Sequence, residues 1–316
     1  MPKKNEVVPL GEVEDTSGFE IVLDNDFEMP PVGLEVFDAH IVPKEQVLAA
    51  LGATSPYVNV AVSGAISISD LITDIDDAVE FLTWVVYGKN GTGKTTLLST
   101  ADGILILAPE DGTLSIRGKA GQAKKLKVDS WEKLEQVYWL LKNGITLPNG
   151  GIRIAVAGGT FDVKYLAIDT VTKLAEVCMR NIVLGDKARD PSRDLVKKTM
   201  RDWGDMSEKM KYWIQTFEEL PLQRVWVCQE TTNSDDADSD EYSIYPSLNK
   251  SLRAYILSEA DIIARTYIAK DAATGTVQYR LSAMPNPTFV TKDRTSKVNK
   301  GAINNPHLDK MYKLIF

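Results

Sequence analysis

Nine consecutive residues, Gly88-Lys89-Asn90-Gly91-Thr92-Gly93-Lys94-Thr95-Thr96, constrain this chain more than any other segment. They satisfy the pattern G-x-x-x-x-G-K-[ST]. They lie between a strand-like apolar run, Thr83-Trp84-Val85-Val86-Tyr87, and an apolar helix start, Leu97-Leu98. Glycines at 88, 91 and 93 let the backbone turn successive N–H groups inward, and a helix start adds partial positive charge. A phosphate chain is the ligand that such a loop suits. In it Lys94 reaches the β and γ phosphates, and the hydroxyl of Thr95 ligates Mg²⁺. The bland alternative is a glycine turn that happens to precede a helix. Average residue frequencies give the bare pattern by chance in about one chain of this length in a hundred, and the flanking strand and helix lower that further. The sequence therefore predicts a nucleotide site built from residues 88–96, with Mg²⁺ beside the phosphates.

Downstream, apolar strand patterns alternate with helical ones, which predicts an α/β fold with a mostly parallel sheet flanked by helices. Residues 103–108 form one such strand, ending at Pro109-Glu110-Asp111-Gly112. Trp131, Leu134, Val137, Tyr138 and Leu141 follow at helical spacing behind Ser130, a predicted N-cap. The run Lys164-Tyr165-Leu166-Ala167-Ile168-Asp169-Thr170 is an apolar strand ending in an acid, the Walker B pattern, so Asp169 is the second expected Mg²⁺ ligand. A further buried strand, 224–229, ends in the amide Gln229. A hairpin is predicted from 262–269 and 276–283, turned at 271–275. Thr170 follows Asp169 where AAA+ ATPases carry Glu, so the carboxylate that polarises water must come from elsewhere, and Glu110 is the candidate. Asn249-Lys250-Ser251-Leu252 lacks the acid that reads guanine, and no Arg-rich kinase lid is found.

Composition narrows the classes further. The 316 residues are 44% hydrophobic and 25% charged, as in an ordinary globular protein. No apolar run approaches the roughly 18 residues of a membrane helix, and the start Met1-Pro2-Lys3-Lys4-Asn5-Glu6 reads as no secretory leader. Two cysteines and two histidines leave little for zinc or His-dependent chemistry and point to a reducing cytoplasm. The formal charge of −8 argues at first against nucleic acid. It is unevenly spread. Residues 1–83 hold three basic and sixteen acidic residues, net −13, and residues 84–316 hold 33 basic and 28 acidic, net +5. The expected organisation is an acidic N-terminal arm and small extension, 1–80, and a nucleotide-binding domain, 81–316.

The ordered set of phosphate loop, Glu110, Asp169 and Gln229 resembles the RecA-like ATPases. It looks closest to those of phages described as nucleotide-binding or single-strand annealing recombination proteins. Trp131, Arg201-Asp202-Trp203-Gly204 and Lys292-Asp293-Arg294 are also similar to that group. The resemblance covers about residues 82–296 and implies a RecA-like P-loop core with a C-terminal β-hairpin. It implies ATP held between neighbouring protomers of a ring or filament in the (host) cytoplasm, with no membrane involved. Glu110 would orient or deprotonate the attacking water, Gln229 would sense the γ-phosphate, and Lys292 and Arg294 would be donated in trans to a neighbour's ATP. For each there is a plainer alternative: a surface turn acid, a polar strand end, a solvated basic patch.

The resemblance also implies two DNA-facing loops acting on single-stranded DNA. Residues 180–211 carry nine basic and six acidic residues, with 185–193 as the expected mobile loop. Arg117, Lys119, Lys124, Lys125 and Lys127 form a second basic cluster. The segment after Gln229, however, holds Asp235, Asp236, Asp238, Asp240 and Glu241 and no base, which repels a phosphate backbone. A basic protein partner for that loop or for the arm, in an ATP-dependent switch without DNA binding, is the alternative.

Overall fold

The computed structural model describes residues 81–112, 123–232, 243–270 and 275–316. The expectations for the arm 1–80, for Arg117 and Lys119, for the acidic run 233–241 and for the turn at 271–274 lie outside the described residues.

Thirteen strands are assigned in the described residues: β1 (Thr83–Gly88), β2 (Ile104–Ala108), β3 (Lys124–Lys127), β4 (Ile145–Thr146), β5 (Ile152–Val156), β6 (Gly159–Val163), β7 (Tyr165–Asp169), β8 (Gln223–Thr232), β9 (Ile244–Pro246), β10 (Ile262–Lys270), β11 (Val277–Ser282), β12 (Lys292–Asp293) and β13 (Ile303–Asn304). The helices are α1 (Lys94–Leu98), α2 (Trp131–Lys142), α3 (Val171–Arg189), α4 (Met200–Glu218), α5 (Lys250–Glu259) and α6 (Leu308–Ile315). Ten strands form one sheet, whose main path runs β13-β11-β10-β1-β8-β7-β2-β3. From β10 through β1, β8, β7 and β2 to β3 every pairing is parallel. Only the β10–β11–β13 flank and the short β9 and β12 are antiparallel. The parallel α/β class read from the sequence is the one the chain adopts.

Strands β1, β2 and β7 are buried along their whole length, because both faces of the sheet are covered. Val85, Tyr87, Leu105, Leu107, Leu166 and Ile168 face α2, α3 and α4, while Trp84, Val86, Ile104, Ile106 and Ala167 face α1 and α6. Ser130 caps α2 by accepting the Lys133 N–H, and its apolar stripe is buried as its spacing predicts. The expected loop at 185–193 is corrected. α3 continues to Arg189, so Gly185 to Arg189 are helical, and only 190–199 connect α3 to α4. α4 opens on a capping box in which Thr199 accepts the Asp202 N–H and the Asp202 carboxylate accepts the Thr199 N–H, which accounts for a buried aspartate there. A small sheet, β4-β5-β6, was not read from the sequence, nor was the β2–β3 pairing that uses Lys124–Lys127 as an edge strand. Among the described residues no helix is long and apolar enough to cross a membrane.

Candidate nucleotide site

All the parallel strands end on the same side, and β1 ends there in Gly88. Its backbone runs against β10 so closely that a Cβ at Gly88 would lie 2.4 Å from both the carbonyl oxygen and the Oγ1 of Thr266. Only glycine fits. The chain then turns through Gly91 and Gly93, at φ 80° and 88°, into α1. Thr92 Oγ1 donates to the Lys89 carbonyl at 2.8 Å and lies 2.8 Å from Thr266 Oγ1, which ties the loop to β10. Lys94 Nζ donates to the carbonyls of Gly88 and Lys89, both at 2.7 Å. Lys94 is buried, and that burial holds its pKa below the usual lysine range against the opposing charge of Asp169.

Strand order brings the rest together. β8 lies between β1 and β7, and β2 flanks β7 on its far side, so the ends of β2, β7 and β8 surround the loop. Thr95 Oγ1 donates to Asp169 Oδ2 at 2.7 Å. Asp169 is 9% exposed. Burial raises its pKa, the Thr95 hydrogen bond and then Lys94 oppose the rise, and the charge of Glu110 adds to it. Thr170, the residue that replaces the expected glutamate, caps α3 by accepting the Lys173 N–H at 3.2 Å. Glu110 is exposed at the end of β2. Its neighbour Asp111 is held by Lys127 at 2.8 Å and Lys125 at 3.7 Å, while Glu110 makes no hydrogen bond or ion pair among the described residues. Asn90, Gly91, Gly93, Lys94, Thr95, Thr96, Glu110, Asp169, Gln229 and Tyr279 line one cavity of about 410 Å³. Of the residues expected around the phosphate, the structure thus gathers the loop, Glu110, Asp169 and Gln229.

It does not gather Lys292 and Arg294. β12 pairs with the start of β10, at the opposite end of the sheet from the loop. There Lys292 Nζ donates to the carbonyls of Leu257 and Ser258, at 3.3 and 2.9 Å, and Arg294 donates to Asp261 Oδ1 at 3.0 Å and the Ser258 carbonyl at 3.2 Å. Both cations close the last turn of α5, where unpaired carbonyls favour positive charge.

Three residues of the site were not read from the sequence. Thr266 contacts the loop, Tyr279 covers it, and Thr172 connects it to a second groove. The Gln229 N–H donates to Thr172 Oγ1 at 3.2 Å, Thr172 Oγ1 donates to the Ser247 carbonyl at 3.1 Å, and the Ser247 N–H donates to the Gln229 carbonyl at 2.7 Å. The groove beyond, about 480 Å³, is lined by Lys198, Trp203, Tyr245 and Arg253 among others. Lys198 lies 5.9 Å from the Trp203 ring centre and Arg253 3.8 Å from that of Tyr245. No short-range pattern signals these contacts, which join residues far apart in the chain.

The donors fit Mg²⁺. A hydroxyl and a buried carboxylate are hard oxygen ligands, and Mg²⁺ takes one or two protein oxygens together with substrate phosphates rather than a full protein cage. Among the described residues no cluster of three or more His, Cys, Asp or Glu is placed to hold a metal. Burial pushes the thiols of Cys178 and Cys228 up to about 12, so neither is a thiolate nucleophile at neutral pH.

Fold and site together define a P-loop NTPase domain built on a mostly parallel, helix-flanked sheet. The chain belongs to the AAA domain family, whose model matches residues 80–295. Among solved structures, the flagellar accessory protein FlaH from Methanocaldococcus jannaschii is similar over 64% of this chain and 76% of its own, at 11% identity and a TM-score of 0.32. That likeness is too distant to carry a functional comparison. No curated protein matches the chain.

Proposed function

We propose that this P-loop NTPase hydrolyses ATP with Mg²⁺ and couples turnover to single-stranded DNA, in recombination or replication of the phage type. The observation that carries the hydrolytic reading is the placement of the Glu110 carboxylate in the same cavity as Lys94, Thr95 and Asp169. Glu110 accepts a proton from, or orients, the attacking water. Lys94 releases the two loop carbonyls and donates to phosphate oxygens instead, and Gln229 offers its amide to the γ-phosphate. Thr95 and Asp169 would hold Mg²⁺, which would supply positive charge to offset the negative charge that develops on the phosphate oxygens. Replacing Glu110 by Gln should slow turnover by about 10²–10⁴-fold and leave ATP binding nearly intact. Full turnover in that variant, or in Lys94→Ala, sinks the role assignment.

The strand reading is supported by the groove beyond Thr172, where exposed Trp203 and two cations combine the stacking face and positive charge that single strands need. Its link to the Gln229 backbone gives a route from nucleotide state to strand. Salt-dependent binding of an oligonucleotide that accelerates ATP turnover supports this reading. An oligonucleotide that neither binds nor accelerates favours the alternative switch, with a basic protein partner for the acidic residues at 235–241. In a homo-oligomer with ATP between protomers, Lys292 and Arg294 would leave the last turn of α5 and act in trans. Turnover per molecule then rises with protein concentration, and Arg294→Ala removes the rise.

A further inference from the structure

β1 ends at Gly88 opposite Thr266, but the hairpin of β10 and β11 continues past it, with ladder pairs from Tyr267–Arg280 to Lys270–Val277. This overhang carries Tyr279, paired with Ile268, out over the phosphate loop. The ring packs on the loop itself, since a Cβ on Gly93 would meet Tyr279 Cδ1 at 3.1 Å. Its backbone is held from the other side, where Asn305 N–H donates to the Tyr279 carbonyl at 2.7 Å. The side chain nevertheless stays 45% exposed and lines the nucleotide cavity. A large aromatic is thus left half-exposed on a paired strand, against the glycine where the loop enters α1. A nucleotide whose phosphates sit in the loop fills this cavity, and Tyr279 is part of the cavity's lining.

From this placement we infer that Tyr279 is the platform on which the nucleobase stacks, a specificity-determining residue for the nucleotide site. The inference rests on the nucleotide reading above. Stacking reads the face of a base and not its edge, so the residue selects for the presence of a base with little regard to which purine it is.

The test is calorimetric titration of ATP, GTP and inorganic tripolyphosphate into the full chain and into its Tyr279→Ala and Tyr279→Phe variants. Tyr279→Ala should weaken ATP and GTP alike, by about 5- to 150-fold for one lost stacking contact, and leave tripolyphosphate within about twofold. Tyr279→Phe should bind all three as the unaltered chain does. Unchanged ATP affinity in Tyr279→Ala overturns the inference. So does a loss of tripolyphosphate in the same proportion, which marks a disturbed loop, and so does an equal loss in Tyr279→Phe, which marks a hydroxyl contact. An unaltered chain that binds neither ATP nor tripolyphosphate instead overturns the nucleotide reading, and this inference with it.

Discussion

Two buried cations, Lys94 and Arg224, sit at opposite ends of the central sheet and are equally hidden, at 8% and 6% exposure. Arg224, at the start of β8, is hydrogen-bonded at all three of its nitrogens. Its Nε donates to Thr83 Oγ1 at 2.8 Å, its Nη1 to the carbonyls of Glu218, Leu220 and Leu222, and its Nη2 to that of Phe81. Lys94, at the other end, uses two of its three donors on loop carbonyls and faces an open cavity. Burial lowers the pKa of both. The difference is in what remains to be satisfied. At the strand starts the fold supplies acceptors to every nitrogen of the guanidinium, so the cation is structural. At the strand ends the chain turns away from the sheet and leaves polar groups waiting for a ligand.

The sharpest way to break this comparison is to remove each cation. Arg224→Met strands several buried carbonyls and should cost about 3–5 kcal/mol in urea unfolding, while the molecules that fold keep their ATP affinity. Lys94→Ala should do the reverse, losing about 10²–10³-fold in ATP turnover with an unfolding midpoint near that of the unaltered chain. Equal stability losses in the two variants would refute the division. Gly88→Ala tests the loop's closeness to β10 and should cost about 1–3 kcal/mol through the clash with Thr266, read by the same unfolding measurement.

A pH series gives the smallest effect. Burial holds the pKa of Lys94 below its ordinary value, and phosphate oxygens raise it, so ATP binding takes up protons on the alkaline side. ATP affinity therefore falls as pH rises through the lowered pKa of Lys94. Arg224 starts so high that it stays charged throughout. Calorimetry in two buffers of different ionisation enthalpy measures the uptake, and its absence, or its persistence in Lys94→Ala, would place the proton elsewhere.

Much of this was legible because it is local. The phosphate loop, the apolar run into Asp169, the capped helix at Ser130 and the β10–β11 pair are each written within a few residues of chain. Lys292 and Arg294 show where that legibility stops. Their charge and spacing suggest a phosphate contact, yet within the chain they close α5, because helix carbonyls and a phosphate attract the same side chains. The helical run 185–189 was hidden by Gly185, whose cost in a helix is small against the packing of α3 on the sheet.

By itself the sequence determined the phosphate-loop motif, since glycine spacing, one lysine and one hydroxyl are short-range requirements of a single loop. Only the tertiary structure decided which distant residues complete the site. Inserting β8 between β1 and β7 set Gln229 beside the loop and Thr95 against Asp169, and the overhang of β10 and β11 laid Tyr279 across Gly93. Parallel strands pair through long crossovers, so their order, and with it the site's membership, follows from how the helices pack on the sheet and from no local pattern.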